Sequence, residues 1–191
     1  MTVVAWNDHL QEARLWVDQR FPHYAHQISP ESTLDDFLAT LCVVPFEQLI
    51  VQGKEVDAVY RDRESVIQVH AGRLGTLPYD ERTAILIHEA VEGYGIDTRL
   101  FSGYGFGQGG PWHNYAEFVE THFREERKLP VCRFALDQQI WERIEKMDQF
   151  FRQFPIWELY LGDTLDKLLR EETDVRLDDQ FKERVLWLSP Y

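Results

Sequence analysis

Apolar residues along this chain fall first at helical spacing, then at the shorter spacing of strands, then at helical spacing again. Trp6, Leu10, Ala13 and Val17 make one stripe and predict a helix over 6–21. Leu34, Phe37, Leu38 and Leu41 make a second, and Ser29-Pro30-Glu31 before it reads as a helix start. Between 43 and 70 the pattern changes. Val43-Val44-Pro45-Phe46 leads to Leu49-Ile50-Val51, punctuated by Gly53-Lys54. Ala58-Val59-Tyr60 and Val66-Ile67-Gln68-Val69-His70 then flank the charged turn 61–64, which predicts a hairpin.

Helical spacing returns at Leu77-Pro78-Tyr79-Asp80-Glu81-Arg82, a start signal with proline near the first turn and acids inside it. The helix it opens covers 78–94, with Gly93 and Gly95 closing it. A glycine-rich loop follows, ending in Phe106-Gly107-Gln108-Gly109-Gly110. It lacks the spacing of a phosphate-binding loop and reads as a mobile lid or a tight crossover. Pro111 opens a helix from 112 to about 127 with Trp112, Tyr115, Ala116, Val119 and Phe123 inward. Leu136, Ile140, Ile144, Met147 and Phe151 form a long amphipathic face beyond Pro130, and shorter helices are expected over 165–169 and 181–187. The pattern predicts an α+β fold, mostly helical, with a small antiparallel hairpin or sheet packed on a pair of helices and a helical C-terminal region. One domain is expected over 1–191, in three parts: 1–56, 57–130 and 131–191.

Composition narrows the partners. A net charge of −13 disfavours nucleic acid and anionic membrane surfaces, since both need cationic patches. Basic residues are interleaved with the acids, as in Arg61-Asp62-Arg63-Glu64, which reads as a solvated surface. No apolar run approaches the roughly 20 residues of a membrane span. No leader pattern opens the chain, so a cytoplasmic protein is expected. Cys42 and Cys132 form no disulfide framework and read as two buried thiols.

The candidate chemistry lies in Ile85-Leu86-Ile87-His88-Glu89-Ala90-Val91-Glu92. His88 and Glu92 stand one turn apart on one helix face, with Glu89 beside them. On the second helix, His113, Glu117 and Glu120 repeat that spacing. If the two helices pack side by side, His88, Glu92, His113 and Glu117 can clamp one divalent metal, zinc first among the candidates. A histidine beside a glutamate on a helix is ordinarily a surface or capping feature; two such pairs, one inside an apolar run, argue for ligands. His70 and His122 read as surface residues, and Trp112 and Phe118 as packing.

Residues 57–130 resemble the core of zincin-type, gluzincin-like metallopeptidases. The resemblance rests on the short strands, Leu-Pro-Tyr-Asp-Glu-Arg, the apolar helix with His88-Glu89, and Tyr115-Ala116-Glu117 on the next helix. It implies His88 as first ligand, Glu89 as catalytic general base, Glu117 as downstream ligand, and the strand 65–70 along the substrate cleft. Glu92 stands where the family has its second histidine, and His113 can restore a second imidazole. The implied function is metal-dependent hydrolysis of a peptide or related amide, with a peptide or protein as substrate. Three alternatives stand beside it: a catalytically degenerate zincin-like binding or assembly protein, a helical di-metal oxidase, and an acidic DNA-mimic inhibitor. The oxidase is disfavoured because Glu-x-x-His spacing is absent around His88 and His113.

Overall fold

A computed structural model describes residues 4–27, 32–61, 64–97, 111–131 and 138–153. Around its longest helix, α5 (Tyr79–Asp97), the other elements are arranged in chain order. These are α1 (Trp6–Arg20), α2 (Pro22–Gln27), α3 (Leu34–Thr40), β1 (Cys42–Phe46), β2 (Ile50–Val51), β3 (Lys54–Glu55), β4 (Ala58–Arg61), β5 (Val66–His70) and α4 (Ala71–Leu74) before it. After it come α6 (Pro111–Glu126) and α7 (Gln138–Gln153). The fold is α+β and mostly helical, as the pattern predicts. Among the described residues, no helix is long and apolar enough to cross a membrane.

Helix α1 lies against α5 and buries Leu10, Ala13, Trp16 and Val17, close to the expected stripe. Helix α3 starts at Leu34, where Thr33 and Asp36 close a reciprocal capping box. The Thr33 hydroxyl accepts from the Asp36 amide (3.2 Å), and the Asp36 carboxylate accepts from the Thr33 amide (2.9 Å). Such a cap contributes on the order of 1 kcal/mol. The expected start at Ser29-Pro30-Glu31 lies outside the described residues. Helix α2 escapes the periodicity reading because six residues are too short to show a period. Pro22 at its first position needs no amide partner, and Tyr24 and Ala25 are buried.

The hairpin β4–β5 forms as expected, with Ala58 opposite Val69 and Arg61 opposite Val66. It is part of a mixed sheet in the order β1-β5-β4, in which β1 runs parallel to β5. Strand β5, placed by the resemblance along a cleft, is the middle strand and is hydrogen-bonded on both sides. The free edge facing α5 belongs to β4. A separate two-stranded ribbon, β2–β3, turns through Gln52 (φ 50°) and Gly53 (φ 77°), a pair of left-handed residues that suits a tight hairpin.

Two glycines expected to end α5 do not end it. The helix continues through Gly93 and Gly95 to Asp97. A Cβ on Gly93 would lie 2.8 Å from the Tyr60 ring. Tyr60 of β4 therefore occupies the space a side chain would take, and this close packing offsets the weak helix propensity of glycine. The thiols also differ from expectation. Cys42 is exposed on edge strand β1, and Cys132 lies outside the described residues.

Helix α7 is joined to the body by a closed polar cluster. The Asp148 carboxylate meets His23 Nε2 (2.6 Å) and accepts from the Tyr115 hydroxyl (2.7 Å) and Arg152 Nε (2.7 Å). Burial favours protonating Asp148, but the bonds from His23, Tyr115 and Arg152 outweigh it and hold its carboxyl below the usual range. Ile144 of α7 is buried; Leu136 and the segments 165–169 and 181–187 lie outside the described residues.

Candidate metal centre

Helices α5 and α6 lie side by side, with Ala90, Val91, Ala116 and Val119 buried in the core they share. One turn of helix separates His88 from Glu92 on α5, and His113 from Glu117 on α6, so both pairs reach the seam. There three donor atoms converge. His88 Nε2 is 3.3 Å from His113 Nδ1, His113 Nδ1 is 3.3 Å from Glu92 Oε2, and His88 Nε2 is 3.4 Å from Glu92 Oε2. The two imidazole rings meet edge to face, 4.8 Å apart at 70°.

The spacing carries chemical information. Donors held about 2.05 Å from a tetrahedral zinc stand roughly 3.3 Å apart. At the same bond length, an octahedral face would bring them to about 2.9 Å. The three edges are compatible with the tetrahedral case, as they are with an octahedral face at the longer bonds of calcium. Two imidazoles and one carboxylate are also a donor set that zinc accepts readily.

The outer nitrogen of each imidazole meets a carboxylate. His88 Nδ1 lies 3.0 Å from Glu120 Oε2, and His113 Nε2 lies 3.4 Å from Glu117 Oε1. With Nδ1 directed to Glu120, Nε2 of His88 faces into the triangle. Glu120 is in turn held by Arg124 Nε at 2.6 Å.

Without a cation, the cluster settles its charges by sharing protons. Burial alone would lower the His88 and His113 imidazoliums. Hydrogen bonds to Glu120 and Glu92 outweigh it for His88, and those to Glu117 and Glu92 for His113, which rises to about 9. Burial would likewise raise Glu92, but its bonds to His113 and His88 bring it down to about 2.

Glu89 faces the sheet. Its Oε2 accepts the Tyr60 amide of β4 at 2.7 Å, and burial pushes its carboxyl up to about 7. A carboxyl in that range is suited to take and return a proton near neutral pH.

Of the expected site residues, His88, Glu92 and His113 supply the converging atoms. Glu117 stands one step out, on the far nitrogen of His113, and Glu89 lies beside the triangle. The reading of the sequence gave Glu120 a place on the helical stripe but no role, and it missed Arg124, although a Glu–Arg pair at i, i+4 is a legible signal. The two remaining histidines in this region are not surface residues. His70 is buried, with Nε2 on Glu55 at 2.9 Å and Nδ1 accepting the Arg73 amide. His122 is half-buried and stacks on Trp141 at 6.0 Å and 7°. Phe118 packs in the core as expected. Most of the loop read as a lid, 98–110, lies outside the described residues. Comparison of the chain with protein-family models, curated proteins and solved structures found no match.

Proposed function

We propose that this protein is a zinc-dependent hydrolase that acts on a peptide or related amide bond. The observation that carries the reading is the triangle of His88 Nε2, Glu92 Oε2 and His113 Nδ1, spaced as three corners of a tetrahedron. Three protein donors with a fourth corner open characterise catalytic zinc sites, whereas structural sites are closed by four. Zinc bound there supplies Lewis acidity, polarising a carbonyl and acidifying water at its open position.

The similarity to zincin-type peptidases supports the same reading once the donors are compared by type. That pattern takes two histidines from the first helix and a glutamate from the second. Here the first helix offers His88 and Glu92, and the second offers His113. The carboxylate and one imidazole have exchanged helices, leaving the donor set of two histidines and one glutamate unchanged. Glu89 keeps the family's position for the general base. The Tyr60 amide fixes one of its oxygens, so its carboxylate is oriented to accept the proton of attacking water and pass it to the leaving amine.

Elemental analysis tests the reading directly. Protein purified without added metal should carry about one zinc per chain, and His88→Ala should carry none. Glu89→Gln should keep the zinc while losing turnover of a peptide library. Wild-type protein without zinc, even after dialysis against it, would overturn the proposal. Loss of zinc from Glu89→Gln would make Glu89 a ligand and remove the general base from the scheme.

A further inference from the structure

Behind His88 lies a chain of ionic contacts that reaches across both helices. Glu120 receives His88 Nδ1 on Oε2 (3.0 Å) and Arg124 Nε on Oε1 (2.6 Å), so both its oxygens are engaged. Arg124 Nη1 extends to Glu81 in the first turn of α5 (2.5 Å) and to the Pro130 carbonyl beyond α6 (3.3 Å). The side chains of Glu81, Glu120 and Arg124 are all less than one-fifth exposed. His113 has no counterpart to this arrangement. Among the described residues, its outer carboxylate, Glu117, meets His113 alone.

We propose that Arg124 is a positioning residue for zinc, acting through Glu120 to fix the tautomer and ring orientation of His88. This rests on the zinc reading given above. Without Arg124, the largely buried Glu120 carboxylate would have only the His88 imidazole to hold it. The guanidinium supplies the compensating charge. With the guanidinium on Oε1 and the imidazole on Oε2, the carboxylate is left one orientation. In that orientation Glu120 accepts the Nδ1 proton and holds the ring so that Nε2 faces the triangle, where it becomes a ligand on giving up its own proton. The His88 ring is thus held in orientation before metal arrives.

The competing explanation is that Arg124 merely fastens α5 to α6. Glu81→Gln separates the two, because it weakens the fastening to α5 and leaves the Arg124–Glu120 contact in place. On the full chain, zinc affinity is measured by competition with a chromophoric chelator, and cobalt(II) is substituted to read the ligand field. Arg124→Gln should weaken zinc roughly tenfold or more and shift the cobalt absorption bands. Glu81→Gln should change affinity less than about threefold and leave the bands in place, whatever urea unfolding shows. Arg124→Lys, which restores charge without the fork, should recover part of the affinity and serves also if Arg124→Gln does not fold. Wild-type affinity and bands in Arg124→Gln, or in Arg124→Lys where that variant stands in for it, would overturn this inference alone. So would equal losses in Glu81→Gln and Arg124→Gln. A wild-type protein that binds neither zinc nor cobalt overturns this inference together with the function it rests on.

Discussion

Two histidine–carboxylate clusters, one buried and one half-buried, join helices of this protein, and they differ in how their donor atoms are arranged. At the seam of α2, α6 and α7, one carboxylate, Asp148, faces donors from His23, Tyr115 and Arg152. Each proton there has an acceptor, and the cluster is closed. At the seam of α5 and α6, two ring nitrogens and a carboxylate oxygen point at one another across 3.3–3.4 Å. Once the two ring protons facing Glu92 are released, all three atoms can offer lone pairs to the same point, where a cation would be well served. Residue type does not separate a structural cluster from a candidate metal centre; the convergence of donor atoms on one point does.

The strongest way to break the comparison is to open the closed cluster. Asp148→Ala leaves His23, the Tyr115 hydroxyl and Arg152 without their shared acceptor, and should cost about 3–5 kcal/mol in urea unfolding. Zinc affinity per folded molecule should be unchanged. A variant that loses zinc while still folded would show that the clusters are coupled.

Gly93→Ala should come next, at about 1–3 kcal/mol, because its Cβ would press on the Tyr60 ring at 2.8 Å. The displaced strand carries the amide that holds Glu89. Turnover should therefore fall further than stability, while zinc content stays near one per chain. Unchanged turnover would separate Glu89 from the strand.

In the presence of a chelator, His88→Ala should cost only about 1 kcal/mol, since Glu120 keeps Arg124 and Glu92 keeps His113. A loss as large as that of Asp148→Ala would make the two clusters structural equals.

Acid and base sharpen the contrast further. Asp148 is held below its unfolded value of about 3.9, so its contribution is complete above that pH and disappears as pH falls through the folded value. Asp148→Asn should flatten that acid limb. His113 is raised to about 9, so in chelated protein its contribution is complete below about 6.5 and is lost as pH rises through 9. Urea midpoints measured across pH should show these opposite slopes, and the alkaline slope should be shallower in His113→Gln, where His88 remains as the raised imidazole.

Local order explains what was legible in the sequence. The helices α1, α3, α5 and α6 and the hairpin β4–β5 follow from side chains a few positions apart, and so do the one-turn pairs at 88/92 and 113/117. The partners that came from far along the chain were hidden. Asp148 meets His23 across 125 positions, and β1 finds β5 past an intervening ribbon. Gly93 reads locally as a helix end, yet it becomes a helix interior because a tyrosine from the sheet fills the missing side-chain volume. His70 and His122 looked like surface residues because nothing nearby in sequence announces Glu55 or Trp141.

Strand β1 bears on the solubility of the molecule. It is an edge of the mixed sheet, with Cys42 and Phe46 exposed, the kind of border onto which a second chain can add a strand. The Cys42 amide points inward, to the Ser65 carbonyl at 3.3 Å, so by alternation position 45 turns its backbone outward. Proline occupies that position and has no amide hydrogen to offer. Pro45 thus interrupts the row of outward donors that a growing aggregate would need, and it guards the border during folding as well as after it.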